Sequence, residues 1–211
     1  MNHIERKRNM KKIWFILIPI IIFTFVVFAY YWYRYPAMFR ILQDDSLSEA
    51  EVASLVESKK SQDLNLLVAY FSYTGTTQGI AEEIRFKIGA DLFRIEREED
   101  YSDVYTESKS EIWQNDCSNL KNTVENMDQY DVVFIGFPIW FHATPAPVNT
   151  FLESYDFTGK IIIPFRTSGG SDIEEAIPTF LNSCKDLAVY QERRISNSSE
   201  IDSWLADIDL F

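Results

Sequence analysis

Three short segments of the chain carry residue types that suit the binding of a flat, phosphorylated ligand. The first is a loop of hydroxyl-bearing residues around one glycine, running directly into a helical pattern: Ser72, Tyr73, Thr74, Gly75, Thr76 and Thr77. Free N–H groups at a helix N-terminus favour an anion such as phosphate, and the hydroxyls offer further hydrogen bonds. The loop has no lysine, so it is not a Walker-A site. Taken alone, a Ser/Thr-rich turn is also an ordinary helix cap.

The second segment carries aromatic side chains at the end of an apolar strand: Pro138, Ile139, Trp140, Phe141, His142 and Ala143. Further prolines at positions 145 and 147 stiffen this loop. An indole or phenyl ring held there can stack on a flat heterocycle. The alternative is a buried aromatic cluster, since 15% of the residues in the chain are aromatic.

The third segment is a short polar turn that contains Thr167, Ser168, Gly169 and Gly170. Paired glycines let a ligand approach the backbone closely, although such a pair also makes an ordinary turn. The three segments together predict a binding site, because each follows an apolar run of the kind that forms a buried strand.

The elements that would position these segments alternate along the chain. Five apolar runs are predicted as strands: 64–71, 91–95, 132–137, 161–165 and 187–195. Helical patterns lie at Thr77–Ile88, with Gly89 as its C-cap, and at 200–210. This alternation predicts an α/β fold with a doubly wound, five-stranded parallel sheet. Ligands bind such sheets beyond the carboxyl ends of the strands, where all three segments fall.

The N-terminal region predicts one transmembrane helix. Residues 13–33 contain no charge, and 21 helical residues span about 30 Å of hydrocarbon. A cleaved signal peptide is the alternative, but the apolar run is long and no small-residue cleavage site follows it. We therefore expect a basic tail at 1–12, a membrane helix at 13–33, a linker at 34–63 and a folded domain at 64–211.

The linker contains a loosely amphipathic pattern that begins near a capping box at Ser46 and Glu49. Such a short helix could pack on the domain, lie on the membrane or serve as a stalk.

Charge is distributed unevenly along the chain. The net charge is -12, yet residues 1–34 hold six Lys/Arg and one acid. The other 177 residues therefore hold 14 Lys/Arg and 31 acids, a net charge of -17. An acidic body argues against nucleic-acid binding. The positive-inside rule predicts a single-pass protein with its N-terminus in the cytoplasm and its domain outside.

The segments VAYFSYTGTT, GFPIWFHATPAPVNTFLE and PFRTSGGS resemble those of the flavodoxin family, in its short-chain form. The resemblance covers about residues 64–211 and implies the strand order 2-1-3-4-5 and a non-covalently bound FMN. It assigns the first segment to the phosphate, with Tyr73 at the loop tip, the second to the isoalloxazine ring and the third to its pyrimidine edge. The implied function is electron transfer to a redox protein or a small acceptor.

Two alternative functions remain open from the sequence. One is an FMN-dependent NAD(P)H:quinone-type reductase, and the other is a non-catalytic module that keeps the fold. The sequence shows no extra basic cluster for a dinucleotide phosphate, which favours the electron carrier.

Arg166 stands where the family often has an uncharged cysteine. If Arg166 faces the flavin, its charge raises the reduction potential; alternatively it is solvated and pairs with Asp172 or Glu174. His142 is either a hydrogen-bonding partner of the flavin or a loop residue without a chemical role. A tyrosine from the polar stretch 96–129 either approaches the flavin or packs on the sheet.

Overall fold

The structure is a computed structural model that describes residues 3–39, 43–60, 62–116, 118–168 and 176–210. Its first helix, α1 (His3–Arg34), contains an apolar stretch, Ile13–Arg34, with a mean hydropathy of 2.7. None of the residues in its most apolar 18-residue window is buried by the described chain. Its length and composition suit a membrane span, and a signal sequence would share them. A 3₁₀ turn, Pro36–Phe39, follows α1.

The linker helix, α2 (Glu49–Lys59), packs on the folded domain. Val52 and Val56 are buried against the sheet, so the first of its three predicted roles is the observed one. Its capping box joins Ser48 and Glu51, so the position predicted from the sequence was wrong by two residues. The N–H of Leu47 donates to the carbonyl of Leu187 (2.9 Å). This hydrogen bond attaches the chain to the domain just before the helix begins.

The central sheet confirms the predicted fold class. Its strands run parallel in the order β2-β1-β3-β4-β5. Their bounds are β1 (Leu66–Tyr70), β2 (Asp91–Arg94), β3 (Val132–Pro138), β4 (Ile161–Thr167) and β5 (Ala188–Val189).

The fifth strand is shorter than predicted. The run at 187–195 forms two separate pieces, β5 and β6 (Arg193–Arg194), and both pair with β4. Between them Gln191 has a φ of 50°, which takes the backbone out of the β region. The carbonyl of Gln191 accepts a hydrogen bond from Trp204 Nε1 (3.0 Å).

Helices cover both faces of the sheet. The remaining helices are α3 (Thr76–Ile88), α4 (Val104–Gln114), α5 (Ala146–Glu153), α6 (Ile177–Leu181) and α7 (Ile201–Asp207). Alternate strand residues point to opposite faces, so Ile161 and Ile163 pack with α2, α3 and α7, whereas Ile162 packs with α5 and α6. As predicted, Gly89 ends α3 in the left-handed conformation.

Candidate cofactor site

The first segment forms a tight loop between β1 and α3. Gly75 is the N-cap of α3 and has a φ of 91°, a conformation that a residue with a side chain adopts only under strain. The N–H of Gly75 donates to Ser72 Oγ (3.1 Å), which closes the loop. Thr74 and Thr76 are exposed, and their hydroxyls lie 3.3 Å apart at the mouth of the loop.

The N-terminus of α3 is open to a ligand. No side chain of the described residues caps it, whereas Ser48 caps α2 and Asp103 caps α4. The N–H groups in the first turn of a helix have no partner within the helix. With the helix dipole, these groups form a site for an anionic group.

A buried hydrogen bond connects the first segment to the third. Thr77 Oγ1 and Thr167 Oγ1 are 2.8 Å apart, and the two residues are 1% and 5% exposed. These hydroxyls therefore hold the loops in register. Ser168 follows directly at the end of β4. Gly169 and Gly170, predicted for the same site, lie outside the described residues.

The second segment turns sharply after β3. The backbones of Trp140 and Ala143 exchange two hydrogen bonds (3.1 and 2.8 Å). Phe141 and His142 have φ values of 49° and 62°, as in a type I′ turn. Residues with side chains are strained in this conformation, by about 1 kcal/mol each.

Aromatic side chains fix the ring of Trp140. Phe71, Tyr101 and Tyr73 approach it edge to face, with ring centroids 5.3, 5.7 and 6.2 Å away. Such arrangements add to the stabilisation from burial alone. The indole is therefore held in place while remaining half-buried at the site.

Tyr101 belongs to a charged network behind Trp140. Its hydroxyl donates to Glu111 Oε2 (2.7 Å), and the Arg97 guanidinium lies 4.5 Å from the centre of its ring. Glu111 also accepts from Ser118 Oγ (2.6 Å) and pairs with Arg97 Nε (3.1 Å). Burial, reinforced by the bond to Glu111, raises the pKa of Tyr101, so it remains a neutral phenol at physiological pH. Tyr101 is thus the tyrosine from the stretch 96–129 whose ring contacts Trp140.

The three segments converge on one cleft of about 380 Å³. Most of the predicted residues line it: Ser72, Tyr73, Thr74, Thr76, Thr77, Pro138, Ile139, Trp140, Thr167 and Ser168. The sequence analysis missed two lining residues, Ile195 and Ser196. Ser196 directly follows the predicted run 187–195, and this position was the available signal because ligands bind beyond strand carboxyl ends. Ile195 was predicted to lie inside that strand.

The other predicted members of the second segment do not line this cleft. The turn directs Phe141 and His142 towards the end of α1, where they contact Arg34 and Tyr35. Ala143 is 1% exposed and packs in a small apolar cluster. These three residues therefore lie outside the lining of the cleft, because the turn reverses the chain after Trp140; that all six contact the flavin ring stays a prediction.

Arg166 is buried and does not have the solvated position that was one of its two predicted arrangements. Its side chain is fully buried, and Nη2 lies 3.1 Å from Glu192 Oε2. Burial lowers the pKa of Arg166, and the charge of Glu192 opposes that shift. The solvated arrangement is therefore wrong, and the side chain does not line the cleft. Asp172 and Glu174 lie outside the described residues.

Comparison with known proteins identifies the family. The family model described as Flavodoxin matches residues 65–208. The chain belongs to the flavodoxin family. A curated relative, the flavodoxin of Haemophilus influenzae, is 26% identical over 122 residues, an alignment that spans 56% of this chain and 58% of that relative.

Solved structures from two other organisms are similar to this flavodoxin-family chain. A candidate flavoprotein from Bacteroides eggerthii is 35% identical, with a TM-score of 0.62, over 69% of this chain and 98% of its own. A flavoprotein from Lactobacillus acidophilus, solved in complex with FMN, is 24% identical with a TM-score of 0.57, over 67% of this chain and 99% of its own.

Proposed function

We propose that this chain is a membrane-anchored FMN protein that passes one or two electrons through its cofactor. The observation that carries the proposal is the cleft itself. It has an uncapped helix N-terminus at one side and a fixed indole ring at another. Its volume of about 380 Å³ falls in the range usual for small-molecule sites.

The residues present fit FMN by their chemistry. The phosphate would take the N–H groups at the start of α3 together with the hydroxyls of Thr74 and Thr76. The ring system would lie against Trp140, beside Pro138 and Ile139. Its polar edge would meet the segment that begins at Thr167, with Ser168, Gly169 and Gly170. When bound, FMN supplies the electron-transfer chemistry, and the protein sets its potential and access.

An electron carrier fits the surroundings of the cleft better than an NAD(P)H-dependent reductase. Arg94 and Arg97 line a depression together with Tyr101, and both pair with glutamates. Arg94 Nε lies 3.7 Å from Glu96, and Arg97 pairs with Glu107 and Glu111. The charge of each arginine is thereby partly balanced by acids, which weakens the attraction of a dinucleotide phosphate.

The proposal includes the topology of the chain. The apolar part of α1 would cross the bilayer once, with the basic tail in the cytoplasm and the acidic domain on the opposite side. Protease added to intact cells is then expected to degrade the domain. A domain that survives in intact cells but is cut after lysis would place it in the cytoplasm instead.

Electron transfer is tested with the purified full chain in detergent, loaded with FMN. After chemical reduction, the protein is expected to reduce cytochrome c, and NADH or NADPH with a soluble quinone is expected to give no sustained turnover. Rapid quinone reduction driven by NAD(P)H would establish the reductase. A loaded protein that cannot be reduced and reoxidised would exclude both redox functions.

A further inference from the structure

The end of α1 contacts the outer side of the turn that carries Trp140. The ring of Tyr35 meets the ring of His142 edge to face, with centroids 4.1 Å apart. The guanidinium carbon of Arg34 lies 5.1 Å from the centre of the Phe141 ring. Phe141 and His142 are the two residues of the turn that have positive φ values.

Neighbouring residues attach the same segment to α4. Ala37 is 4% exposed and packs with Ile112 of α4 and with Ala143 of the turn. Trp32 contacts Trp113, with ring centroids 5.7 Å apart. The juxtamembrane segment, residues 32–37, is therefore packed against both α4 and the turn.

Two positive charges in this region are held by aromatic rings. Arg34 lies near the rings of Tyr35, Tyr105 and Phe141, and within the described part of the chain its buried Nη1 has no hydrogen-bond partner. Lys109 is 5% exposed, and its Nζ lies 3.2 Å from the centre of the Tyr33 ring. Cation–π contacts hold a cation without neutralising it as a carboxylate would. The region therefore carries positive charge in an otherwise acidic domain.

We propose that the juxtamembrane segment supports the cofactor site from outside the cleft. Tyr35 and Ala37 hold the strained turn that presents Trp140, and Arg34 supplies positive charge that favours the reduced, more negative cofactor. A strained turn persists only where the surrounding structure holds it in that conformation. On the outer side of this turn, the contacts of Tyr35 and Ala37 hold it. The inference rests on the proposed binding of FMN.

This arrangement also places the turn at the membrane surface. Tyr30, Tyr31, Trp32 and Tyr33 form an aromatic belt at the end of the apolar stretch. The turn contacts the two residues that follow this belt. The cofactor would therefore exchange electrons close to the headgroup region of the bilayer.

The test uses the full chain in lipid nanodiscs. It compares alanine substitutions of Tyr30, which lies in α1, and of Tyr35, which directly follows α1. Tyr35→Ala removes the contact with His142, whereas Tyr30→Ala removes a belt residue that lies 57% exposed. We expect Tyr35→Ala to raise the Kd for FMN at least about tenfold, equivalent to about 1.4 kcal/mol, and Tyr30→Ala to leave it unchanged. Arg34→Gln is expected to lower the midpoint potential of the bound cofactor.

A rescue variant separates positioning from general loss of structure. His142→Gly relieves the strain at the left-handed position, so adding it to Tyr35→Ala is expected to recover FMN affinity. Equal affinity and potential in all variants and in the parent would overturn this inference while leaving the proposed FMN binding intact. A parent protein that binds no FMN would instead overturn the proposed function and, with it, this inference.

Discussion

At the scale of single residues, Trp140 is the side chain on which the proposed ring site depends most. Stacking of a flat heterocycle on an aromatic side chain contributes about 1–3 kcal/mol. Trp140→Ala is therefore expected to raise the Kd for FMN by about 10- to 100-fold, measured by titration of the full chain. Phe86→Ala serves as the control, because Phe86 is 81% exposed on α3 and does not line the cleft. Equal affinity in the two variants would show that the ring does not stack on Trp140.

The hydroxyl pair between the first and third segments makes a second prediction at this scale. Thr77→Val leaves the buried Thr167 hydroxyl without this partner, so a loss of about 1–3 kcal/mol in the free energy of unfolding is expected. Thr77→Val with Thr167→Val removes both groups and is expected to recover part of that loss. Chemical denaturation of the four proteins gives the coupling energy. A double variant less stable than the sum of its singles would contradict the assignment.

The three predicted segments meet at one cleft, but residue types did not indicate the direction of every side chain. The Ser/Thr-Gly loop, Trp140 and Thr167 converge as expected, because each follows a parallel strand whose carboxyl end lies at one edge of the sheet. The pattern could not show that Phe141 and His142 point away, since that depends on two positive φ angles. The sequence pattern also could not predict the contacts of Arg34 with Phe141 and of Tyr35 with His142, because they join parts of the chain more than 100 residues apart.

At the scale of elements, the packing of β3 against β4 requires Gly136. A Cβ at this position would lie 2.2 Å from the Phe165 ring, which is fully buried and has no room to move. Gly136→Ala is therefore expected to cost about 1–3 kcal/mol through overpacking. Thermal or chemical unfolding of the full chain provides the measurement.

Gly79→Ala is the matched control for that substitution. Gly79 lies within α3, and nothing stands within 4 Å of a Cβ added there. Alanine is expected to stabilise the protein by about 0.4–1 kcal/mol at this position. If both alanine variants shifted stability in the same direction, the close approach of β3 to Phe165 would not be the cause.

Hydrophobic periodicity predicted the existence and order of the elements better than their ends. The buried strands β1 and β3 are continuous apolar runs, and β4 is apolar over its first five residues, so their pattern was unambiguous. The last run divided because the backbone at Gln191 leaves the β region. The cap of α2 lies at Ser48 rather than Ser46, directly after the backbone hydrogen bond from Leu47 to Leu187. Both differences arise from tertiary contacts that local sequence does not encode.

At the scale of the whole molecule, stability is expected to depend on the ion pair that attaches α2 to the sheet. Burial alone would raise the pKa of Asp131, but hydrogen bonds from Lys59 Nζ (2.9 Å) and the Asn65 N–H (3.0 Å) outweigh it. The pKa in the folded state is therefore lowered. Its stabilising contribution is present above the unfolded pKa of about 3.9 and disappears as the pH falls through the lowered folded value.

Asp131→Asn is accordingly expected to reduce the free energy of unfolding at pH 7. In strong acid the variant and the parent are expected to be equally stable. Unfolding measured between neutral and acid pH tests the expectation. Asp63→Asn is the control, since Asp63 is exposed and forms no ion pair with any described residue. A constant difference between Asp131→Asn and the parent at every pH would contradict the assignment of the lowered pKa.

The charge of the whole domain makes a prediction about partners. Residues 35–211 carry a net charge of -17, which favours encounter with basic proteins. The rate of electron transfer to cytochrome c is expected to fall steeply as ionic strength rises, because salt screens that attraction. Stopped-flow kinetics over a salt series provides the test. A rate independent of salt would indicate that the acidic surface does not guide the encounter.

The central claim is that the cleft binds FMN, and one measurement tests it most directly. The full chain is purified in detergent, its visible absorption spectrum is recorded, and the compound released by heat is identified by mass spectrometry. The account predicts a flavin spectrum and release of FMN, one per chain. A colourless protein that also fails to take up added FMN would contradict it, and would leave a flavodoxin-shaped domain without a redox cofactor.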